Sequence, residues 1–331
     1  MSLQRRWFEP KLSPALWPLF PLHLLFVVLS GLRRALYCVG LLRQRRLPVP
    51  VVVVGNLIVG GAGKTPLTIW LAEALQTHGM RPGIISRGYG GTGQVPRPVT
   101  VDATPAEVGD EPLLLWRRAG VPVWVGRDRA VAGAALLAAH PEVDVLIADD
   151  GLQHYRLRRD AEIVVFDTRG VGNGWRLPLG PLREPLTRLA GVTAVVGNGP
   201  LGDLLLPATV PCYPMQLRAE QFIRLGQTEV KTEAAALRGQ PLHAVAGIGN
   251  PARFFATLRD LGLDVVEHPF PDHHVFTAAD LDFGPEAILL MTEKDAVKCA
   301  GLVSNQTWVL PVTAELPAAL IATLLEKLHG R

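Results

Sequence analysis

Residues 51–68, VVVVGNLIVGGAGKTPLT, restrict the fold more than any other stretch of the chain. Four consecutive β-branched valines read as a strand buried on both faces, a glycine-rich turn follows, and Gly63, Lys64 and Thr65 open a segment of helical composition. Such a strand–loop–helix turns backbone N–H groups around phosphate oxygens at a helix N-terminus, where the dipole also favours negative charge. The nucleotide-cradling residues are then Gly60, Gly61, Ala62, Gly63, Lys64, Thr65 and Pro66. Lys64 reaches the β- and γ-phosphates, and the Thr65 hydroxyl ligates Mg²⁺. The G-x-x-x-x-G-K-[ST] template has glycine where this chain has Ile58, so the loop is a variant. A turn used for packing alone would leave Lys64 and Thr65 without a reason.

Strand-like and helical stretches alternate from residue 51 to about 198, which predicts an α/β fold of the P-loop NTPase kind, a parallel sheet with helices on both faces. Ligands of such sheets bind at the carboxyl ends of the strands. Pro82–Ser86 ends in SRGYGG with Arg87 and Tyr89. Val121–Val125 ends in GRDR, where Arg127 and Arg129 either neutralise phosphate or are simply solvated. Val143–Asp150, VDVLIADD, closes on two adjacent carboxylates followed by Gln153 and His154, the character of a strand-end acid that holds Mg²⁺ directly or through water. Ile163–Asp167 repeats the strand-plus-Asp pattern, and a Pro/Gly-rich loop then carries Arg183 and Glu184. In VGDEP, Asp110 is either a helix N-cap or a carboxylate aimed at a substrate.

At 331 residues the chain has room for two domains, and 48% hydrophobic residues with 19% charged ones suit a cored α/β protein. Three scattered cysteines offer no disulfide framework or CxxC site, which points to a reducing compartment. Residues 1–50 carry Lys11 and seven arginines against Glu9, a net +7 in a chain of +3, so the remainder is −4. That confinement argues against a nucleic-acid partner and for an anionic membrane surface at the amino end. Leu19–Leu32 is an apolar run interrupted by Pro21 and His23. Together with Ala35–Leu42 it predicts an amphipathic helical hairpin seated in the interface, with Trp7 and Trp17 near headgroup depth. A cleaved signal peptide and one spanning helix are the alternatives.

After about residue 200 the pattern changes. The expected division is a membrane-associated helical segment over 1–46, a P-loop domain over 47–205, a connection over 206–240 containing a possible β-hairpin, and a smaller α/β domain over 241–331. The last opens with a strand, a GIGNP turn read as packing, and a helix. HPFPDHHVF holds His268, Asp272, His273 and His274, which fit either a metal cluster or one catalytic histidine oriented by an acid. In TEKDAVK, Lys294 and Asp295 are adjacent, the wrong register for the guanine-reading N-K-x-D element; Thr292 reads as an N-cap.

Taken together, VGNLIVGGAGKTP, SRGYGG, VGDEP, GRDR, DDGLQH, GPLREP, the PDHH segment and TEKDAVK closely resemble the tetraacyldisaccharide 4′-kinase family, from residue 1 to about 300. The family's own loop departs from the template at the first glycine. The resemblance implies transfer of the ATP γ-phosphoryl group, with Mg²⁺, to the 4′-hydroxyl of a tetraacylated glucosamine disaccharide 1-phosphate in lipid A synthesis. It implies work at the cytoplasmic face of a bacterial inner membrane, with no obligate protein partner inferred. Lys64 and Thr65 keep their derived roles; Asp149, Asp150 and Glu184 serve the metal and its waters. Asp110 becomes the general base, assisted by a second-domain histidine placed at His273, with His274 the neighbouring choice. Tyr89, Arg127, Arg129, Gln153 and His154 are the substrate-binding set. A membrane-attached P-loop ATPase or GTPase switch is the competing function.

Overall fold

The computed structural model describes residues 3–330 except 92, 94, 203, 205, 220, 300 and 303–305. The amino end forms α1 (Leu3–Trp7), a 3₁₀ stretch (Pro14–Leu19) and α2 (Phe20–Cys38). α2 is one unbroken helix of 19 residues, about 28 Å long at ~1.5 Å per residue. The expected hairpin does not form, for a local reason. Pro21 falls in the first helical turn, where its missing N–H is no loss, and residues 35–38 extend the same helix instead of starting a second leg. Leu22, Leu25, Val28, Leu29 and Leu32 stand more than half exposed along it. His23 is its buried residue, and Nδ1 donates to the Arg176 carbonyl at 3.0 Å while the ring packs edge-on to Trp175.

The larger sheet grows around β1 (Val51–Gly55). It is followed by α3 (Lys64–Thr77), β2 (Pro82–Ser86), β3 (Arg97–Pro98), α4 (Pro105–Val108), α5 (Asp110–Ala119) and β4 (Val123–Val125). Next come α6 (Arg129–Ala139), β5 (Val145–Asp149), β6 (Ala161–Asp167), β7 (Ala194–Asn198) and β8 (Cys212–Ala219). The spatial order is β8-β7-β6-β1-β5-β2-β4-β3, parallel from β8 to β4 with β3 antiparallel at the edge. The valine run behaves as a doubly covered strand should. Val52 and Val54 pack with Leu67, Leu71 and Leu113 of α3 and α5, and Val51 and Val53 with Leu136 of α6 and with Leu152 and Leu182.

The second sheet contains the antiparallel hairpin β9 (Phe222–Arg224) and β10 (Gln227–Thr232). After α7 (Ala234–Leu237) it continues through β11 (Leu242–Ala246), α8 (Pro251–Asp260), β12 (Val265–Pro269), β13 (Ile288–Thr292), α9 (Glu293–Ala296) and β14 (Thr307–Leu310). Its order is β10-β9-β14-β13-β11-β12. The chain then returns: β15 (Val312–Glu315) pairs antiparallel with β8, and α10 (Ala318–His329) follows it. Leu320, Ile321, Leu324 and Leu328 of α10 form an apolar stripe that buries in the same core as α3. Sheet membership therefore departs from the expected divisions at 206–240 and 241–331, since β8, β15 and α10 belong to the larger sheet.

Candidate active site

At the carboxyl end of β1 the loop runs to Lys64, with Gly60 and Gly63 in the left-handed region and Gly63 capping α3. Ile58 is fully buried, because residues 57–59 pair with 181–183: Val59 N donates to the Pro181 carbonyl at 2.9 Å and Arg183 N to the Leu57 carbonyl at 2.7 Å. Position 58 is thus a core position in a short ladder, which explains a side chain where the template bends. The same ladder delivers Arg183 and Glu184 to the loop. Side chains then tie three successive carbonyls: Asn56 Nδ2 to Gly60 at 2.9 Å, Arg169 to Gly61 at 2.7 Å, and Asn198 Nδ2 to Ala62 at 3.0 Å. A Cβ at Gly63 would sit 2.4 Å from Asn198 Nδ2, so the close approach requires glycine.

β5 runs parallel beside β1, which brings its closing acids to the same end of the sheet. Lys64 Nζ lies 3.8 Å from Asp150 Oδ1, and Arg183 Nη1 3.3 Å from the same oxygen. Burial alone would push Asp150 up, but Lys64 and Arg183 outweigh it and hold the carboxyl below its ordinary range. Asp149 is 1% exposed and accepts only the hydroxyls of Thr68 and Ser86, at 3.4 and 3.3 Å, among the described residues. Burial, with repulsion from Glu111 and Asp150, pushes its pKa up to about 7. A buried carboxylate that makes no salt bridge among the described residues, next to a second acid in a cavity that Thr65 also lines, is a donor set suited to a hard divalent cation. Glu184 is different: its oxygens accept Gln153 Nε2 at 2.8 Å and the Tyr155 hydroxyl, with Arg188 Nε 3.5 Å away.

From the second sheet, the turn after β12 brings His273 to α5. His273 Nδ1 lies 3.1 Å from Asp110 Oδ2, and its Nε2 3.8 Å from Asp272. Asp110 is the first residue of α5, with Gly109 as the N-cap, so the reading of Asp110 as that cap is replaced by a carboxylate facing His273. Against the upward push of burial, the hydrogen bond from His273 and the charge of Lys294 lower the Asp110 pKa; the bond to Asp110 raises that of His273. His274 turns away to Asp280 at 3.3 Å and stacks on Phe270. Asp150 and His273 are the two non-glycine residues with positive φ, at 45° and 60°, among the described residues. Backbone held in that region costs energy, and here both instances fall in one site.

One cavity of about 1260 Å³ joins these parts and reaches as far as Arg33 and Arg34 on α2. Within it the exposed Tyr89 ring stands 5.0 Å from His273, and Arg127 is exposed at the wall. Arg129 is buried and donates to the carbonyls of Arg127 and Asp150, both at 3.3 Å; burial lowers its pKa to about 10, still protonated. Burial and Arg129 hold His154 down at about 4, hence neutral. Gln153 donates to Glu184 and accepts from Arg183 at 3.3 Å. Sequence reasoning missed Asn56, Asn198, Arg169 and Arg253 as supports of the loop; Arg253 Nη2 of α8 donates to Asn198 Oδ1 at 2.8 Å. Asn56 and Asn198, polar ends of buried strand runs, carried a local signal. GIGNP, read as packing, faces the loop, with Gly249 against Gly61.

Residues 15–329 match the family described as tetraacyldisaccharide-1-P 4′-kinase. The chain belongs to this family. A tetraacyldisaccharide 4′-kinase of Dechloromonas aromatica is 60% identical over 331 residues, covering 99% of this chain and 98% of the relative. One of Azoarcus sp. strain BH72 is 54% identical over 95% of this chain and 92% of its own. Among solved structures, LpxK from Aquifex aeolicus, crystallised in complex with ATP, aligns with a TM-score of 0.80 at 30% identity, covering 94% of this chain and 98% of that one. The fold of the 4′-kinase family is therefore the fold of this chain, both sheets included.

Proposed function

We propose that the chain transfers the γ-phosphoryl group of ATP to the 4′-hydroxyl of a tetraacylated disaccharide 1-phosphate, the lipid kinase step of lipid A synthesis. The observation that carries this reading is the meeting of Lys64 with Asp150, at 3.8 Å, in the same cavity that His273 lines. Phosphoryl transfer depends on alignment and charge neutralisation more than on covalent chemistry. Lys64 and the loop amides bind the triphosphate, and Arg127, Arg129 and Arg183 add positive charge around it. Thr65, Asp149 and Asp150 would hold Mg²⁺, which when bound supplies charge neutralisation between the phosphates. Glu184 is assigned to fixing Gln153 and Tyr155 behind those acids, because its own oxygens are engaged there. The Asp110–His273 pair takes the proton of the sugar hydroxyl, with His273 at the cavity wall and Asp110 behind it. Tyr89, Gln153 and His154 shape the acceptor side.

The chain acts at a membrane surface on this reading. α2 presents leucines and valines to solvent, and seven arginines lie in residues 1–50, as an interfacial anchor near anionic lipid requires. We divide the chain into an amino-terminal anchor, a kinase unit built on the larger sheet, and a smaller unit on the second sheet that completes the site. Purified protein in detergent, given γ-labelled ATP and the tetraacyl disaccharide 1-phosphate, should yield a labelled lipid bisphosphate, and Lys64→Ala should yield none. Nucleotide hydrolysis with no labelled lipid would favour an ATPase instead.

A further inference from the structure

TEKD, residues 292–295, takes no part in the chemistry described so far, yet its side chains reach four places. Thr292 caps α9 by accepting Asp295 N. The fully buried Asp295 accepts Gly247 N at 3.1 Å, beyond β11, and pairs with Lys298 at 2.7 Å. Glu293 accepts Arg118 Nη1 of α5 at 2.6 Å. Lys294 Nζ lies 2.9 Å from Glu111 Oε1 and 3.9 Å from Asp110 Oδ2 on α5, and 3.2 Å from Asp272 Oδ1 on the second unit. One ammonium thus faces three carboxylates drawn from both sides of the cavity.

We propose that Lys294 is a positioning residue for the Asp110–His273 pair: by bridging Asp110, Glu111 and Asp272 it docks the second unit on the amino end of α5 and keeps the pair in its proton-accepting form. The inference rests on the kinase reading of the cavity. Without the ammonium, three acids converge on a partly buried point where burial favours protonation. The amino end of α5 offsets a part of that, within its first turn only. The charged and titratable groups facing the pair are Glu111 on α5, Asp272 beside His273, Lys294 and Lys298 on and after α9, and the Tyr89 phenol, whose ring lies 5.0 Å from that of His273. Burial works against the charge on Lys294, but Glu111, Asp110 and Asp272 outweigh it and hold its pKa above the ordinary lysine value. It therefore remains a cation throughout the working range of pH.

The sign of the effect follows. Deleting a positive charge makes a carboxylate and an imidazole both easier to protonate, so the acid limb of the rate profile moves to higher pH. In Lys294→Gln that limb should rise by about one pH unit, giving kcat/KM on the order of tenfold below wild type at pH 6 and nearly equal to it at pH 8.5. KM for ATP should stay unchanged, and Lys294→Arg should restore most of the low-pH activity. Because the single change strands three carboxylates, the substitution is also read in a Glu111→Gln background, where the double variant's acid limb should lie above that of Glu111→Gln alone. Loss by one constant factor at every pH, or no loss, in an active enzyme overturns the inference. A wild-type protein that makes no lipid bisphosphate overturns the kinase reading instead.

Discussion

His273 Nδ1 approaches Asp110 Oδ2 to 3.1 Å although 163 positions separate them, so a residue from each sheet's unit meets the other at the cavity wall. A proton acceptor at that point contributes by its charge, and Asp110→Asn keeps its shape while removing the charge. We expect phosphoryl transfer to fall by roughly 10²–10⁴-fold, as for loss of a general base, with ATP affinity within about twofold of wild type. His273→Gln should cost less. Steady-state kinetics beside ATP titration checks both, and an Asp110→Asn enzyme of normal rate removes the pair from the chemistry.

The same pair predicts a pH response. His273 titrates above its ordinary 6.5 because Asp110 favours the imidazolium, so its contribution to docking is complete below about 6.5 and is lost as pH rises through the higher folded value. Asp110 is depressed below 3.8, so its contribution is present above that value and is lost as pH falls through the lower folded one. An NMR titration of the His273 ring should give a midpoint above 6.5 in the native protein and a lower one in Asp110→Asn. Identical midpoints in the two proteins would contradict the assignment.

Asn198 is 1% exposed and bonded on both sides, to the Ala62 carbonyl and to Arg253. Asn198→Ala leaves a buried carbonyl unpaired, which costs about 1–3 kcal/mol. It also lets the loop relax away from the triphosphate. Thermal unfolding should drop accordingly, and KM for ATP should rise about tenfold with a smaller change in kcat. Unaltered nucleotide affinity would mean that the loop holds its shape without this tie.

For α2, the expectation concerns where the protein sits. Leu25→Glu with Leu29→Glu places charge on the exposed apolar face of α2 and should abolish co-flotation with vesicles containing anionic lipid. Activity toward a short-chain acceptor dispersed in detergent should survive. Undiminished flotation assigns membrane attachment to another part of the chain.

Much of the site could be read locally. Lys64 and Thr65 follow a buried valine strand, and Asp149 and Asp150 close another, because a parallel sheet sends every strand's carboxyl end to one edge. The hairpin expectation for the amino terminus failed at Arg33 and Arg34, taken as the turn between two apolar runs, because the helix continues through them to Cys38, and Pro21 in its first turn does not interrupt it. What no local pattern carries is a partnership across the chain. Lys294 and Glu111 are 183 residues apart, and Arg118 and Glu293 are 175 apart. Nor does the apolar stripe of α10 say which sheet it covers; it buries beside α3 in the core of the larger sheet.

A Cβ built on Gly249 would come 3.2 Å from the Gly61 amide nitrogen. The turn beyond β11 therefore meets the loop before α3 as bare main chain, and a methyl group there would fit only if the loop gave way by a few tenths of an ångström. A methyl group there, as in Gly249→Ala, would press on the loop that opens α3, so the turn and the loop cannot be varied independently of each other.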